Sequence, residues 1–185
     1  MINWCESCAY RLFNTKVHHV EGIGNPWNGK CIVLPNVDYS AYKHKSMSFS
    51  EQVGVLDEVL YSSTGELLLN FYVVPMIRCN ELISPDIDKD TYNRCLHWFA
   101  EDIKKYDFKD ILLCGSAGRR FLSTDISKYL NTLFVTNNNR RYSVNYSPLI
   151  KLSNSLKYKE FKENLFKWHN AVLEQDFCRY ETMKL

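Results

Sequence analysis

Four cysteines form two distant pairs in this chain and could together hold a metal centre. Cys5 and Cys8 lie three positions apart, whereas Cys79 and Cys95 follow after a long intervening segment. Two thiolates at that short spacing can bind one metal ion, and a second pair brought in by the fold would complete four sulfur ligands. Zinc and a [4Fe–4S] cluster both accept such a set, so the cysteines alone leave both open.

The elements that must position these residues follow from the hydrophobic pattern. Short apolar runs predict strands at residues 30–36, 66–76 and 110–115, with weaker strands at 133–137 and 140–146. Helical spacing of apolar residues predicts helices at residues 50–61, 90–106, 117–122 with an extension towards 130, and 158–173. This alternation predicts one three-layer α/β/α domain over residues 1–185 with a central, mainly parallel sheet. Ligands of such sheets bind beyond the carboxyl ends of the strands.

Composition is typical of a protein that buries a proper core, with 45% hydrophobic and 14% aromatic residues. The net charge of +2 does not indicate nucleic-acid binding, so DNA affinity would have to come from clusters such as Arg119–Arg120 and residues 140–141. No run approaches the roughly 20 apolar residues of a membrane span. Seven cysteines are an odd number, which favours reduced thiols. We therefore expect a cytoplasmic monomer that contacts no membrane.

Segments 22–39, 66–79 and 145–149, together with the two cysteine pairs, resemble the uracil-DNA glycosylase superfamily. The resemblance extends from Cys5 to Trp168 and is greatest for the iron–sulfur branch, in which an early CxxC and two later cysteines hold a [4Fe–4S] cluster. It implies a glycosylase-like fold, DNA as the partner, and a cluster bound by Cys5, Cys8, Cys79 and Cys95. It favours the cluster over zinc and implies a structural clamp, because base excision transfers no electrons.

Residues 34–38, LPNVD, occupy the place of the superfamily's water-activating motif (GQDPY, GEAPG or GINPG). Asn36 resembles the asparagine of the mismatch-specific branch, whose amide positions the attacking water, while the glutamate of the iron–sulfur branch would fall on Pro35. Glycosidic cleavage depends mainly on stabilising the departing base and holding a water, so an amide can suffice. Asp38 is an alternative carboxylate for the water or the sugar cation. A turn after a strand would also explain both residues.

Two further segments resemble base-binding motifs. Phe49, in MSFS, resembles the phenylalanine that stacks on the flipped base, and Asn70, predicted to end a strand at ELLLN, resembles the asparagine that reads the base edge. Asp38 stands where a tyrosine would block pyrimidine substituents, so a bulky modified base could fit unless Tyr39 closes the pocket. Taken alone, an isolated Phe or strand-end Asn is more often a core or capping residue.

The segment NYSPL at 145–149 resembles the HPSPL and NPSG motifs. The resemblance places Asn145 at the base carbonyl, Ser147 and backbone amides at a phosphate, and Leu149 or Ile150 as the apolar wedge that fills the vacated stack, with Pro148 also next to the DNA. An ordinary Ser-Pro loop is the alternative.

The glycine-rich turn at residues 115–118, followed by Arg119 and Arg120, could bind a DNA phosphate, although tight packing explains a glycine-rich turn equally well.

The function that the resemblance implies is a monofunctional DNA glycosylase that flips out and hydrolytically removes a pyrimidine. Its substrate would be either a hypermodified base of phage DNA, as in antiviral defence, or uracil, as in repair. The alternative is a catalytically inactive glycosylase-fold protein that binds DNA or assists replication, because the usual acidic and histidine groups are absent.

Overall fold

The computed structural model describes residues 18–80, 89–122, 125–136 and 139–171, and there the chain is a mixed α/β structure. The six strands are β1 (Ile23–Gly24), β2 (Lys30–Val37), β3 (Tyr72–Asn80), β4 (Asp110–Cys114), β5 (Phe134–Val135) and β6 (Arg141–Asn145). The five α-helices in these ranges are α1 (Tyr39–His44), α2 (Glu51–Thr64), α3 (Lys89–Tyr106), α4 (Ser116–Leu122) and α5 (Ser155–His169).

The strands form one sheet in the order β1-β3-β2-β4-β6-β5. The four inner strands β3, β2, β4 and β6 are parallel, and the short β1 and β5 pair antiparallel at the two edges. Residues 31–34 of β2 are fully buried, as expected for a central parallel strand covered on both faces. The chain passes from β2 to β3 on one side and later to β4 on the other. The carboxyl ends of β2 and β4 therefore flank the point where connections diverge, which is where such sheets bind ligands.

Helices cover both faces of the sheet, as neighbouring residues at the start of β3 demonstrate. The Phe71 ring lies 6.0 Å from the ring of Trp168 in α5, whereas the Tyr72 hydroxyl donates to Asp102 of α3 at 3.5 Å. Successive residues of a strand point to opposite faces. Helices α2 and α5 also pack on each other, and Tyr92 of α3 contacts α4, so the sheet lies between two helical layers.

The predicted strand at residues 66–76 was wrong in its bounds, because β3 begins six residues later. Residues 68–70 form a 3₁₀ turn in which Leu68 is buried and its amide donates to Asp57, while Leu67 and Leu69 are exposed. Three consecutive leucines resemble a buried strand in sequence, but only one of them reaches the core. Asn70 therefore precedes β3 and does not end a strand.

The remaining elements agree with the prediction apart from their bounds. Helix α5 begins three residues earlier than expected, where the Asn154 side chain accepts from the amide of Lys157 at 2.9 Å. The expected extension of α4 towards residue 130 contains a 3₁₀ turn, Ile126–Tyr129. Helix α1 and the short edge strand β1 were not predicted. None of the described helices combines the length and apolar character that a membrane crossing requires.

Candidate functional site

The carboxyl ends of β2, β4 and β6 meet at Gly115. The Gly115 amide donates to the Asn145 carbonyl at 2.8 Å, and a Cβ on Gly115 would lie 3.0 Å from both Pro35 Cγ and Ser147 Cβ. Gly115 also has φ +56°, which favours glycine. The motif segments 34–38, 115–120 and 145–149 are thus brought to one edge of the sheet, termed the carboxyl edge below.

Asp38 ties the end of β2 to two helices. Its Oδ1 accepts from the Ala41 amide at 3.0 Å and so caps α1, while its Oδ2 accepts from the Ser50 hydroxyl at 2.5 Å and the Glu51 amide at 2.9 Å. A carboxylate at a helix N-terminus satisfies amides that have no partner within the helix and is favoured by the helix dipole. In this arrangement Asp38 is a positioning group for α1 and α2.

Phe49 reaches the carboxyl edge through that same connection, since it immediately precedes Ser50. Its ring is 54% exposed and stacks on the ring of His44, with centroids 4.4 Å apart and planes 24° apart. Tyr39, at the start of α1, is also exposed. The edge therefore presents aromatic rings beside the end of β2, which suits contact with a nucleobase.

Asn36 lies at an irregular step of the sheet. It pairs with Ile77, but its successor Val37 pairs with Asn80, so β3 has two more residues than β2 across this step. The buried Gln52 of α2 donates to the Asn36 carbonyl at 3.1 Å, and the Asn36 side chain donates weakly to the Val37 carbonyl at 3.3 Å. Among the described residues nothing donates to the Asn36 side-chain oxygen, so this half-buried amide can still hold a water.

Asn145 is fully buried, and both ends of its amide are in use. Its Nδ2 donates to the Phe161 carbonyl at 3.0 Å, and its Oδ1 accepts from the Tyr146 amide at 2.9 Å. These bonds fasten the end of β6 to α5. In the described conformation the amide faces the protein interior, and contact with a base would require these hydrogen bonds to be exchanged.

The other predicted DNA-contacting residues surround the same edge. Ser147 and Leu149 are half-buried and Pro148 is buried, within or next to the 3₁₀ turn Pro148–Leu152. Arg119 is exposed in the last turn of α4, and the guanidinium of Arg120 lies 4.5 Å from the centre of the Tyr92 ring. Leu149 would have to emerge further to act as a wedge.

Asn70 is the one predicted base-binding residue that the structure puts elsewhere. Its carbonyl accepts from the Asn28 side chain and its own amide donates to Glu66 at 2.6 Å, next to the amino ends of β2 and β3. In the sheet register Tyr72 pairs with Cys31, whereas Asn36 pairs with Ile77. Five residue steps of strand separate these pairs, or about 17 Å. Asn70 therefore cannot read a base held at the carboxyl edge.

The predicted arginine pair at 140–141 also lies at the amino ends of the strands. Arg140 pairs with Asp107 at 3.3 Å, and Arg141 pairs with Asp110 at 2.5 Å. Both charges are thus compensated by neighbouring carboxylates, so this pair does not form a basic patch.

The predicted metal ligands are described only in part. Cys79, half-buried near the end of β3, and Cys95, buried in α3, belong to two elements that pack together, and neither forms a disulfide. Cys5 and Cys8 lie outside the described residues. No group of three or more potential ligands occurs in the described part of the chain. Two thiolates are half of a tetrathiolate set, so the described pair has the donor chemistry of a cluster without completing it.

A buried charge network fixes α3 on β3 next to these cysteines. Arg78, only 3% exposed, pairs with Asp102 of α3 and with Glu21 at 3.1 Å, and donates to the Trp98 carbonyl at 3.4 Å. Burial raises the pKa of Asp102, with the Arg78 charge and hydrogen bond opposing that shift. The pKa of Glu21 is lowered, chiefly by its hydrogen bond from His19. The sequence carried no signal for this network.

Sequence reasoning also missed Ser50 and Gln52, which support Asp38 and Asn36 from the first turn of α2. Both are almost completely buried polar residues. The available signal was the occurrence of polar side chains at the start of an apolar helix, a pattern that marks an N-terminus.

No protein-family model and no curated protein sequence matches this chain. The resemblance to glycosylases therefore depends on the motifs and on the positions that the fold gives them.

Proposed function

We propose that the protein is a monofunctional DNA glycosylase with a uracil-DNA glycosylase-like fold. The observation that carries the proposal is the convergence of segments 34–38, 47–50, 115–120 and 145–149 at the carboxyl edge, beside the point where the strand connections diverge. Three of these segments, 34–38, 47–50 and 145–149, resemble motifs of one family and lie at the edge where α/β sheets bind ligands, whereas the Asn70 segment, which resembles a further motif, lies at the opposite edge.

The side chains at that edge fit base excision. An extruded pyrimidine stacks on Phe49, and the Asn36 amide holds the attacking water beneath the sugar. Asp38 keeps α1 and α2 in register around these two residues. Removing a base leaves an abasic site and consumes one water. The substrate is a pyrimidine of DNA, either a hypermodified phage base or uracil, and the absence of a blocking aromatic side chain at position 38 supports the bulky base.

A second candidate is an inactive glycosylase-fold protein that binds DNA. Two of the three predicted catalytic side chains favour this candidate. The Asn145 amide and the Asp38 carboxylate are both engaged in hydrogen bonds that hold the fold together. In that case Phe49 and the surrounding edge bind an unpaired base without cleaving its glycosidic bond.

A [4Fe–4S] cluster bound by Cys5, Cys8, Cys79 and Cys95 is part of the proposal. The support is the donor chemistry of Cys79 and Cys95 on two packed elements, together with the charge network that fixes those elements. When bound, the cluster supplies a covalent clamp and no step of the reaction. Zinc is the alternative metal, and iron and sulfide analysis of protein purified without oxygen distinguishes the two.

The deciding experiment measures abasic sites formed by the purified protein on oligonucleotides containing uracil and on phage DNA with bulky modified pyrimidines. Asn36→Ala should lower the rate by roughly tenfold to a hundredfold, since misplacing a reacting group by about 1 Å can cost on the order of a hundredfold. Asn25→Ala is the matched control, since Asn25 caps a turn that precedes β2. Absence of abasic sites with intact DNA binding would reject the glycosylase and support the binding protein.

A further inference from the structure

A shallow, open groove of about 690 Å³ lies on the outer surface between helices α2 and α5, which cover the face of the sheet that Asn145 faces. Ser62 and Ser63 contribute from the end of α2. The α5 side is formed by five residues at helical spacing, which therefore share one face: Lys159, Lys162, Glu163, Phe166 and Lys167. This set is called the α5 groove below.

The α5 groove carries excess positive charge and an exposed ring. Lys159 is 3.8 Å from Glu163, whereas among the described residues Lys162 and Lys167 have no ion pair within 4.0 Å. Phe166 is 47% exposed, although an aromatic ring of this size is normally buried in a stable core. Lysines beside an accessible aromatic ring are the combination with which proteins hold a single nucleic-acid strand.

The α5 groove begins about one helical turn from the start of α5, at Lys159. Helix α5 begins directly after the Pro148–Leu152 turn and runs towards the amino ends of the strands, where the His169 carbonyl accepts from Lys30 at 3.1 Å. Lys159 and Lys167 are eight residues apart, or about 12 Å along the helix. A strand that ran along α5 from the carboxyl edge would reach Lys159 first and Lys167 last.

We propose that the α5 groove binds the single-stranded continuation of a DNA strand, with lysines on its phosphates and Phe166 under an unpaired base. The proposal rests on the DNA-facing carboxyl edge of the proposed function and deepens it by naming single-stranded DNA as the preferred substrate form. An acidic peptide would match the same charges, but the exposed Phe166 ring beside the lysines favours a strand with unpaired bases.

The test measures fluorescence anisotropy of labelled oligothymidylate, free or annealed to oligoadenylate, over a range of NaCl concentrations. Replacing all three lysines, in Lys159→Gln, Lys162→Gln and Lys167→Gln together, should reduce the salt slope of log K for the single strand by about 2, at roughly 0.7 per phosphate contact. The matched control replaces three exposed lysines outside the groove, at 104, 105 and 128, and should leave the slope unchanged.

Phe166→Ala separates stacking from charge. It should weaken single-strand binding about fivefold or more and leave duplex binding unchanged, whereas Phe166→Tyr should retain the wild-type affinity, since every base can stack on either ring. Circular dichroism confirms that each variant is folded.

Three outcomes would overturn the proposal: an unchanged salt slope in the triple lysine variant, equal losses for strand and duplex in Phe166→Ala, or displacement of the strand by polyglutamate at lower concentration than by unlabelled DNA. The last outcome would assign the groove to a protein partner. Abasic-site formation is a separate readout, because an inactive protein can pass this test and an active glycosylase can fail it.

Discussion

Replacing Asp38 by alanine should destabilise the protein by about 2 to 5 kcal/mol. Loss of a helix N-cap costs about 0.5–2 kcal/mol, and hydrogen bonds to a charged group contribute about 1.5–3 kcal/mol. Asp38 combines both, because it caps α1 through the Ala41 amide and holds α2 through Ser50 and Glu51. The melting temperature should fall by roughly 4 to 20 °C at about 2–4 °C per kcal/mol for a chain of this size.

Two further variants divide this effect between the helices. Asp38→Asn keeps a neutral acceptor for α1 but loses the charge and part of the contact with α2, so about half of the loss should remain. A double-mutant cycle between Asp38→Ala and Ser50→Ala should give a coupling energy of about 0.5–3 kcal/mol, since the two side chains share a hydrogen bond. Urea unfolding followed by circular dichroism measures each value.

The control is Asn154→Ala, which removes a cap with a single described hydrogen bond to the Lys157 amide and should cost about 1 kcal/mol. If Asp38→Ala costs no more than this control, Asp38 does not join the two helices as argued. If Asp38→Asn is as stable as the wild type but forms no abasic sites, Asp38 belongs to the chemistry of the site.

Three other predictions follow from the described contacts. Gly29→Ala adds a Cβ at positive φ in open space and should cost about 1–2 kcal/mol. Gly115→Ala adds close contacts to the same backbone strain and should cost about 1–3 kcal/mol more. Equal urea midpoints for the two variants would contradict the packing argument. Arg78→Met leaves the Asp102 carboxylate without its main counter-charge and should cost about 3–5 kcal/mol. Adding Asp102→Leu should recover most of this loss in thermal unfolding, and no recovery would show that packing dominates. Burial raises the pKa of Cys114 to about 12, so iodoacetamide at pH 8 should label it only after unfolding, and rapid labelling of the native protein by mass spectrometry would refute its burial.

The strands that the sequence predicts best are those whose apolar runs are buried on both faces. Residues 30–36 and 110–115 correspond closely to β2 and β4, because a continuous buried run has few alternatives at that length. The prediction failed at residues 66–71, where an apolar run includes exposed leucines. Exposure is decided by packing against α2, which local sequence does not report.

The location of the candidate site could be predicted from the sequence, but the hydrogen bonds that its side chains make could not. The position of each motif after a predicted strand was enough to predict that segments 34–38 and 145–149 lie at one edge of the sheet. It could not predict that the Asn145 amide donates to the Phe161 carbonyl, nor that Asp38 accepts hydrogen bonds from two helices. Both depend on contacts with residues that are not adjacent in the sequence. The net charge of the whole chain is small, so it gave no indication of a local cluster of lysines on α5.

The register break between Asn36 and Val37 places Asn36 beside the irregular part of β3. Arg78 and Cys79 are the two extra residues of β3 at that step. The peptide that joins Asn36 to Val37 therefore lies opposite the segment that contains the buried arginine and the candidate ligand. A substitution of Cys79 is therefore expected to shift Asn36 as well, since both residues belong to the same irregular step of the sheet.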